Sequence, residues 1–229
     1  MHISYTPQCL KYAHSPICMP CWMTNPLNIL EKENRVLVIH TPKDLPEDIG
    51  AAIINEIAVF GRMKTVLYSL TEDSVAVIKK LMEQLGEVED LLKTDLRFSK
   101  DCKRMTDAVK ALEKTPLFIY DKEMAASELV ENAKQLLENV DNPRTRYKFI
   151  IIDDLTAIRG IGLNQGVDKA VAEVFVKELA TLAKQSGISI ILMSHTPLNE
   201  MFPIKSLRPV YVTIGEKEFI LLTLLSELL

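Results

Sequence analysis

Seven residues, Lys148-Phe149-Ile150-Ile151-Ile152-Asp153-Asp154, constrain the fold more than any other stretch. Four consecutive apolar residues, three of them β-branched, run directly into two carboxylates. A short β-branched run suits a strand buried on both faces, as in a parallel sheet covered by helices. Its acidic end then falls on the edge of that sheet where open α/β folds bind ligands. An acid in that place suits the water shell of a Mg²⁺ ion. The simpler alternative is a core strand with an acidic exit, Asp154 capping the next turn.

Other strands and helices alternate around this one. Residues 35–40 and 65–70 read as strands, and residues 51–60 between them as a helix closed by Gly61. Asp73 or Ser74 caps a helix through Leu85. Polar helices follow over residues 88–92 and 99–113, then a short strand over 117–120. Ser127 opens a helix to about Glu138, with Glu128 and Glu131 in its first turns. Asp141-Asn142-Pro143 is a turn before the acid-ended strand. A glycine-containing loop leads to a helix over residues 168–185, whose apolar positions Val171, Val174, Leu179, Leu182 and Ala183 fit one face only approximately. Residues 188–193 form another buried strand, ending at Ser194-His195-Thr196. Residues 210–214 and 219–225 predict a closing antiparallel hairpin. The expected fold is α/β, a mostly parallel sheet flanked by helices, with that hairpin at the end.

Residues 1–30 differ in character. They have no clear period and are read as an arm, with residues 31–229 as the domain. Cys18 and Cys21 form a C-x-x-C pair with Cys9 and His14 nearby, donors that suit zinc. A structural zinc site usually shows two separated ligand pairs, so a free-thiol arm is the reading and zinc the alternative. Trp22 anchors this arm on a neighbour or covers the chain's own core.

The net charge of −4 argues against nucleic-acid binding through bulk positive charge but leaves room for a local basic channel. No apolar run reaches the roughly 18 residues of a membrane span. The N-terminus has no signal-peptide layout, which predicts a cytoplasmic protein. The run Lys100-Asp101-Cys102-Lys103-Arg104 is read as a solvated helix face. Tyr147 is read as a packing group at the start of its strand, with base stacking as the alternative.

Several segments, in order, resemble the ATPase core of DnaB-type replicative helicases, members of the RecA-like superfamily. Leu67-Tyr68-Ser69-Leu70 resembles that family's second strand, which ends Ser-Leu-Glu. Pro116-Leu117-Phe118-Ile119-Tyr120-Asp121 resembles its Pro-Leu-x-Ile-x-Asp strand. Phe149 to Leu155 resembles its Walker B strand. Leu179-Ala180-Thr181-Leu182-Ala183-Lys184 and the strand to Ser194 resemble its Leu-Lys-x-Leu-Ala-Lys helix and the strand ending Ser-Gln-Leu-Asn-Arg. Ser206-Leu207-Arg208 resembles its later Asp-Leu-Arg. The resemblance runs over roughly residues 35–214 and rests on order and spacing.

The resemblance implies a RecA-like domain, ATP and Mg²⁺ as cofactors, single-stranded DNA and replication proteins as partners, and a homo-oligomer or a helicase partner. Asp153 would hold Mg²⁺ through water, Glu72 would polarise the attacking water, and His195 would sense the γ-phosphate. Lys43, Gly50, Asp153 and Asp154 are the nucleotide-binding candidates. Arg208 or the 156–166 loop would meet DNA.

The sequence also departs from the family. Where its phosphate loop reads Gly-Lys-Thr, this chain has Ile49, Gly50 and Ala51; Thr41 and Lys43 lie on the wrong side of that loop. A charge-assisted hydrogen bond is worth about 1.5–3 kcal/mol. Losing two weakens nucleotide binding roughly a hundredfold to ten-thousandfold. Pro42 and Pro46 remove amide donors from the same loop. The family's catalytic glutamate falls at Thr71, one place before Glu72, and no arginine follows Arg208 as a finger toward a neighbouring subunit. Three readings follow: a degenerate relative that binds DNA or protein beside a replication or mobile-element machine, favoured here; a working ATP-dependent helicase; and an unrelated α/β ligand-binding protein.

Overall fold

The computed structural model describes residues 2–4, 36–40, 49–88, 99–138, 146–161, 169–194, 207–214 and 217–224. The expected helix over 88–92 (beyond Val88), the 141–143 turn and most of residues 1–30 lie outside them. So do Lys43, His195, the Cys18–Cys21 pair and Trp22.

Among the described residues, eight strands share one sheet. In chain order they are β1 (His2–Ser4), β2 (Val36–His40), β3 (Thr65–Tyr68), β4 (Leu117–Tyr120), β5 (Phe149–Ile152), β6 (Ser189–Ser194), β7 (Leu207–Ile214) and β8 (Lys217–Leu224). Their spatial order is β1-β7-β8-β2-β6-β5-β3-β4. The five strands from β2 to β4 in that order are mutually parallel. β8 pairs antiparallel with β2 and with β7, and β1 adds to β7 in parallel.

Side chains alternate across a strand, so a strand buried on both faces must be apolar throughout. Ile150 and Ile152 join Val36, Val38, Val66, Tyr68, Ile190 and Leu192 in one cluster. Phe149 and Ile151 join Leu37, Ile39, Leu67, Ile191 and Met193 in the other.

Helices cover both faces. The first cluster packs on α4 (Ala126–Glu138) and α5 (Lys169–Ser186), through Leu129, Ala133, Phe175 and Leu179 among others. The second packs on α1 (Ile49–Ile54) and α2 (Ser74–Gly86) through Ile53, Ile54, Val77 and Leu81. α3 (Ser99–Glu113) lies against α2, its Met105 contacting the end of α2 at Gly86.

Two expectations need correction. The segment after β2 is not one α-helix to residue 60, because α1 gives way to a π-helical turn, Asn55–Phe60. Buried Asn55 donates to Gln84 Oε1 at 2.9 Å, tying the start of this wide turn to α2. Gly61 closes it with its N–H on Glu56 O at 2.9 Å, and a Cβ there would meet Ile57 O at 2.8 Å. The second correction concerns α5. Its core face is Ala172, Phe175, Val176, Leu179, Leu182 and Ala183, a continuous stripe at helical spacing. Val171 and Val174 are 37% and 57% exposed, rotated around the helix off the edge of that stripe.

The packing reading of Tyr147 holds. Tyr147 is buried, edge-on to Phe118 at 6.4 Å, with Lys64 Nζ 4.2 Å over its ring. Cys102 and Lys103 are exposed on α3, and Arg104 pairs with Glu87 at 2.9 Å.

Truncation tests the reassigned face of α5. Phe175→Ala should cost about 3–5 kcal/mol in equilibrium urea unfolding. Val174→Ala should stay within about 0.5 kcal/mol.

Candidate functional site

Parallel strands end together, so the register decides which exits become neighbours. Tyr68 of β3 pairs with Ile152 of β5 and Tyr120 of β4, and Ile152 pairs with Leu192 of β6. One step beyond these pairs, Ser69, Asp121 and Asp153 meet on a common rim. Ser194, fully buried, continues it at the end of β6.

Asp153 is half-buried at the centre of this rim. Its own N–H donates to Tyr68 O at 3.1 Å, fixing its backbone. Its carboxylate accepts from Leu70 N at 2.9 Å on Oδ1. On Oδ2 it accepts from Thr71 N at 3.2 Å and Thr71 Oγ1 at 2.8 Å. Ser69 Oγ stands 3.2 Å from the same oxygen but 2.8 Å from Glu72 O, and its single proton favours the shorter contact.

The remaining acids also serve nearby backbone. Asp154 is buried and accepts from Thr156 N at 2.9 Å and Thr156 Oγ1 at 2.8 Å, capping the short 3-10 turn Leu155–Ala157. Asp73 caps α2 by accepting from Ala76 N at 2.7 Å. Asp121 accepts from Ser74 N at 3.0 Å. The Ser74 backbone N–H, followed by the Ser74 hydroxyl, holds the Asp121 carboxyl below its ordinary range. Glu72 forms an ion pair with Lys80 across the first turns of α2.

The segment beyond Asp154 is pinned as well. Arg159 N donates to Met124 O at 3.0 Å, and Ala126 N to Arg159 O at 3.3 Å. Its guanidinium meets Glu128 at 2.8 Å. The Ala125 N–H and Arg159 hold the Glu128 carboxyl low, the amide being the larger cause.

Of the candidates read from the sequence, Glu72, Asp153 and Asp154 come together on this rim. Gly50 lies in the first turn of α1. Arg208 is on β7, paired with Thr223, four strands from β5 or about 19 Å along the sheet. Lys43 and His195 are outside the described residues. Sequence reasoning did not single out Ser69, Lys80 or Asp121, and treated Thr71 only as a missing glutamate. The available signal was the pair of hydroxyls flanking Leu70, opposite an acid-ended strand. Among the described residues, no three His, Cys, Asp or Glu side chains gather as metal ligands, and no helix is long and apolar enough to cross a membrane.

The sheet with its flanking helices is a RecA-like α/β fold. It aligns at a TM-score of 0.63 with a DnaB-like replicative helicase whose structure was solved with its interactions with primase. Identity is 16%, over 80% of this chain and 49% of that one. A second solved structure, an ATPase domain, aligns at 0.61 with 15% identity, over 80% of this chain and 70% of its own. Likeness at such identities shows the fold, and this chain spans about half the length of the first relative. The DnaB-like helicase C terminal domain pattern matches residues 48–200, most of the chain, so the protein belongs to that family. No curated protein matches the sequence.

Asp121 offers a pH test. Its folded pKa is depressed, so its contribution is present above the unfolded value of about 3.9 and is lost as pH falls through the folded value. Asp121→Asn should lower the urea midpoint near neutrality, and the two curves should converge in acid. A gap that persists unchanged in acid would assign the effect to shape rather than charge.

Proposed function

We propose that this chain is a degenerate DnaB-type domain: it keeps the RecA-like scaffold and has given up phosphate-loop chemistry. It acts as a DNA- or protein-binding module beside a replication or mobile-element machine. One observation carries this reading. The rim acids that would serve a magnesium nucleotide are engaged by the protein's own donors, while α1 begins Ile49-Gly50-Ala51 without the family's lysine and hydroxyl.

The residues present fit Mg·ATP poorly. A carboxylate has roughly four lone-pair positions. Two amides and a hydroxyl already use three of those on Asp153. Glu72 faces Lys80, so a water-polarising role would require it to leave an ion pair. The phosphate loop itself has no ammonium at the family's position.

The partner follows from the family. A DnaB-like relative studied with primase directs the search to replication proteins and to assembly with other helicase-type subunits. With a net charge of −4, contact with single-stranded DNA would rely on local basic residues such as Arg208.

A titration of Mg·ATP tests the reading. A ligand present at a hundred times its Kd stabilises by about 2.7 kcal/mol. For a chain of this size that raises the melting temperature by roughly 5–10 °C. The expected shift at millimolar Mg·ATP is below about 1 °C, with no calorimetric heat of binding. A full-sized rise that Asp153→Ala abolishes would restore the working-motor reading.

A further inference from the structure

We propose that the exit of β3 is an internal anion-binding nest whose occupant is the chain's own Asp153 carboxylate. Consecutive main-chain N–H groups that face the same anion form a concavity suited to it. Leu70 N and Thr71 N do so here, meeting the two oxygens of one carboxylate at 2.9 and 3.2 Å. Thr71 Oγ1 adds the shortest contact, 2.8 Å. The ligand class is a planar monoanion with two oxygens, and β5 supplies it through a strand register that puts Ile152 beside Tyr68.

The rest of the loop is built to hold that geometry. Ser69 N donates to Tyr120 O at 2.7 Å, Ser69 Oγ to Glu72 O at 2.8 Å, and Ser74 N to Asp121 at 3.0 Å. These bonds and the Asp153 carboxylate hold the same loop. Asp153 positions the loop between β3 and α2, and Thr71 is its specific partner. This deepens the proposed function, because a carboxylate held by the loop is not free to order a cation's water shell.

The test uses the full chain without nucleotide. Asp153→Ala should lower the melting temperature by about 5–10 °C. Sodium formate should recover part of that loss by filling the vacated nest, whereas sodium chloride at equal ionic strength should not. Wild type should respond to the two salts alike. An Asp153→Ala protein that melts like wild type, or that responds equally to both salts, overturns the proposal.

If Asp153→Ala does not fold, Asp153→Asn and Thr71→Val decide instead. Each should lower the melting temperature, and the double variant should lose less than the sum of the two, because both remove one interaction. Strict additivity overturns the nest. Failure of the proposed function looks different: Mg·ATP would stabilise wild type strongly, whatever formate does to Asp153→Ala.

Discussion

The main-chain donors stranded at the carboxyl edge of the parallel sheet govern this molecule's rim. Strand pairing stops at Tyr68, Tyr120 and Ile152, yet the chain must still travel from β3 to α2. A buried amide on that path needs a partner, since leaving one unpaired costs about 1–3 kcal/mol. The partners are carboxylates and a neighbouring carbonyl: Asp153 for Leu70 and Thr71, Asp121 for Ser74, Asp73 for Ala76, and Tyr120 O for Ser69. The acids that make the rim look like a cation site are thus also partners of its main-chain donors.

This dual use explains how far the sequence could be read. Strands buried on both faces must be largely apolar, so β2, β3, β5 and β6 are visible without any partner. Caps are visible too, because Asp73 and Ala76 are three positions apart. Asp153 and Thr71 are 82 positions apart, and only the register of β3 against β5 brings them together. Composition carries no trace of that register. The π-helical turn is hidden for the same reason, since Asn55 finds Gln84 29 positions away.

Helix α5 shows a different limit. Valine at 171 and 174 is as apolar as leucine at 179, and residue type alone admits all three to the core. The sheet selects the stripe that contains Phe175, the largest side chain on that face, and leaves Val174 more than half exposed. A cluster sized for Phe175 admits one rotation of the helix, because close-packed interiors leave no room for a second.

The change at residue 71 then has a consequence for the acid opposite it. A glutamate there, as in the family's strand ending Ser-Leu-Glu, would remove the hydroxyl that makes the shortest bond to Asp153. It would also bring a second negative charge toward the first, and two close carboxylates favour a cation or a proton between them. Threonine reverses both effects. It supplies a proton to Asp153 Oδ2 and adds no charge, so the carboxylate is satisfied from within the chain. On the proposed reading, replacing one side chain on the β3 loop turns an acid that would look outward for a metal's water shell into one that holds its own backbone. The sheet and its two cores do not depend on that side chain, because Thr71 is exposed and belongs to neither hydrophobic cluster.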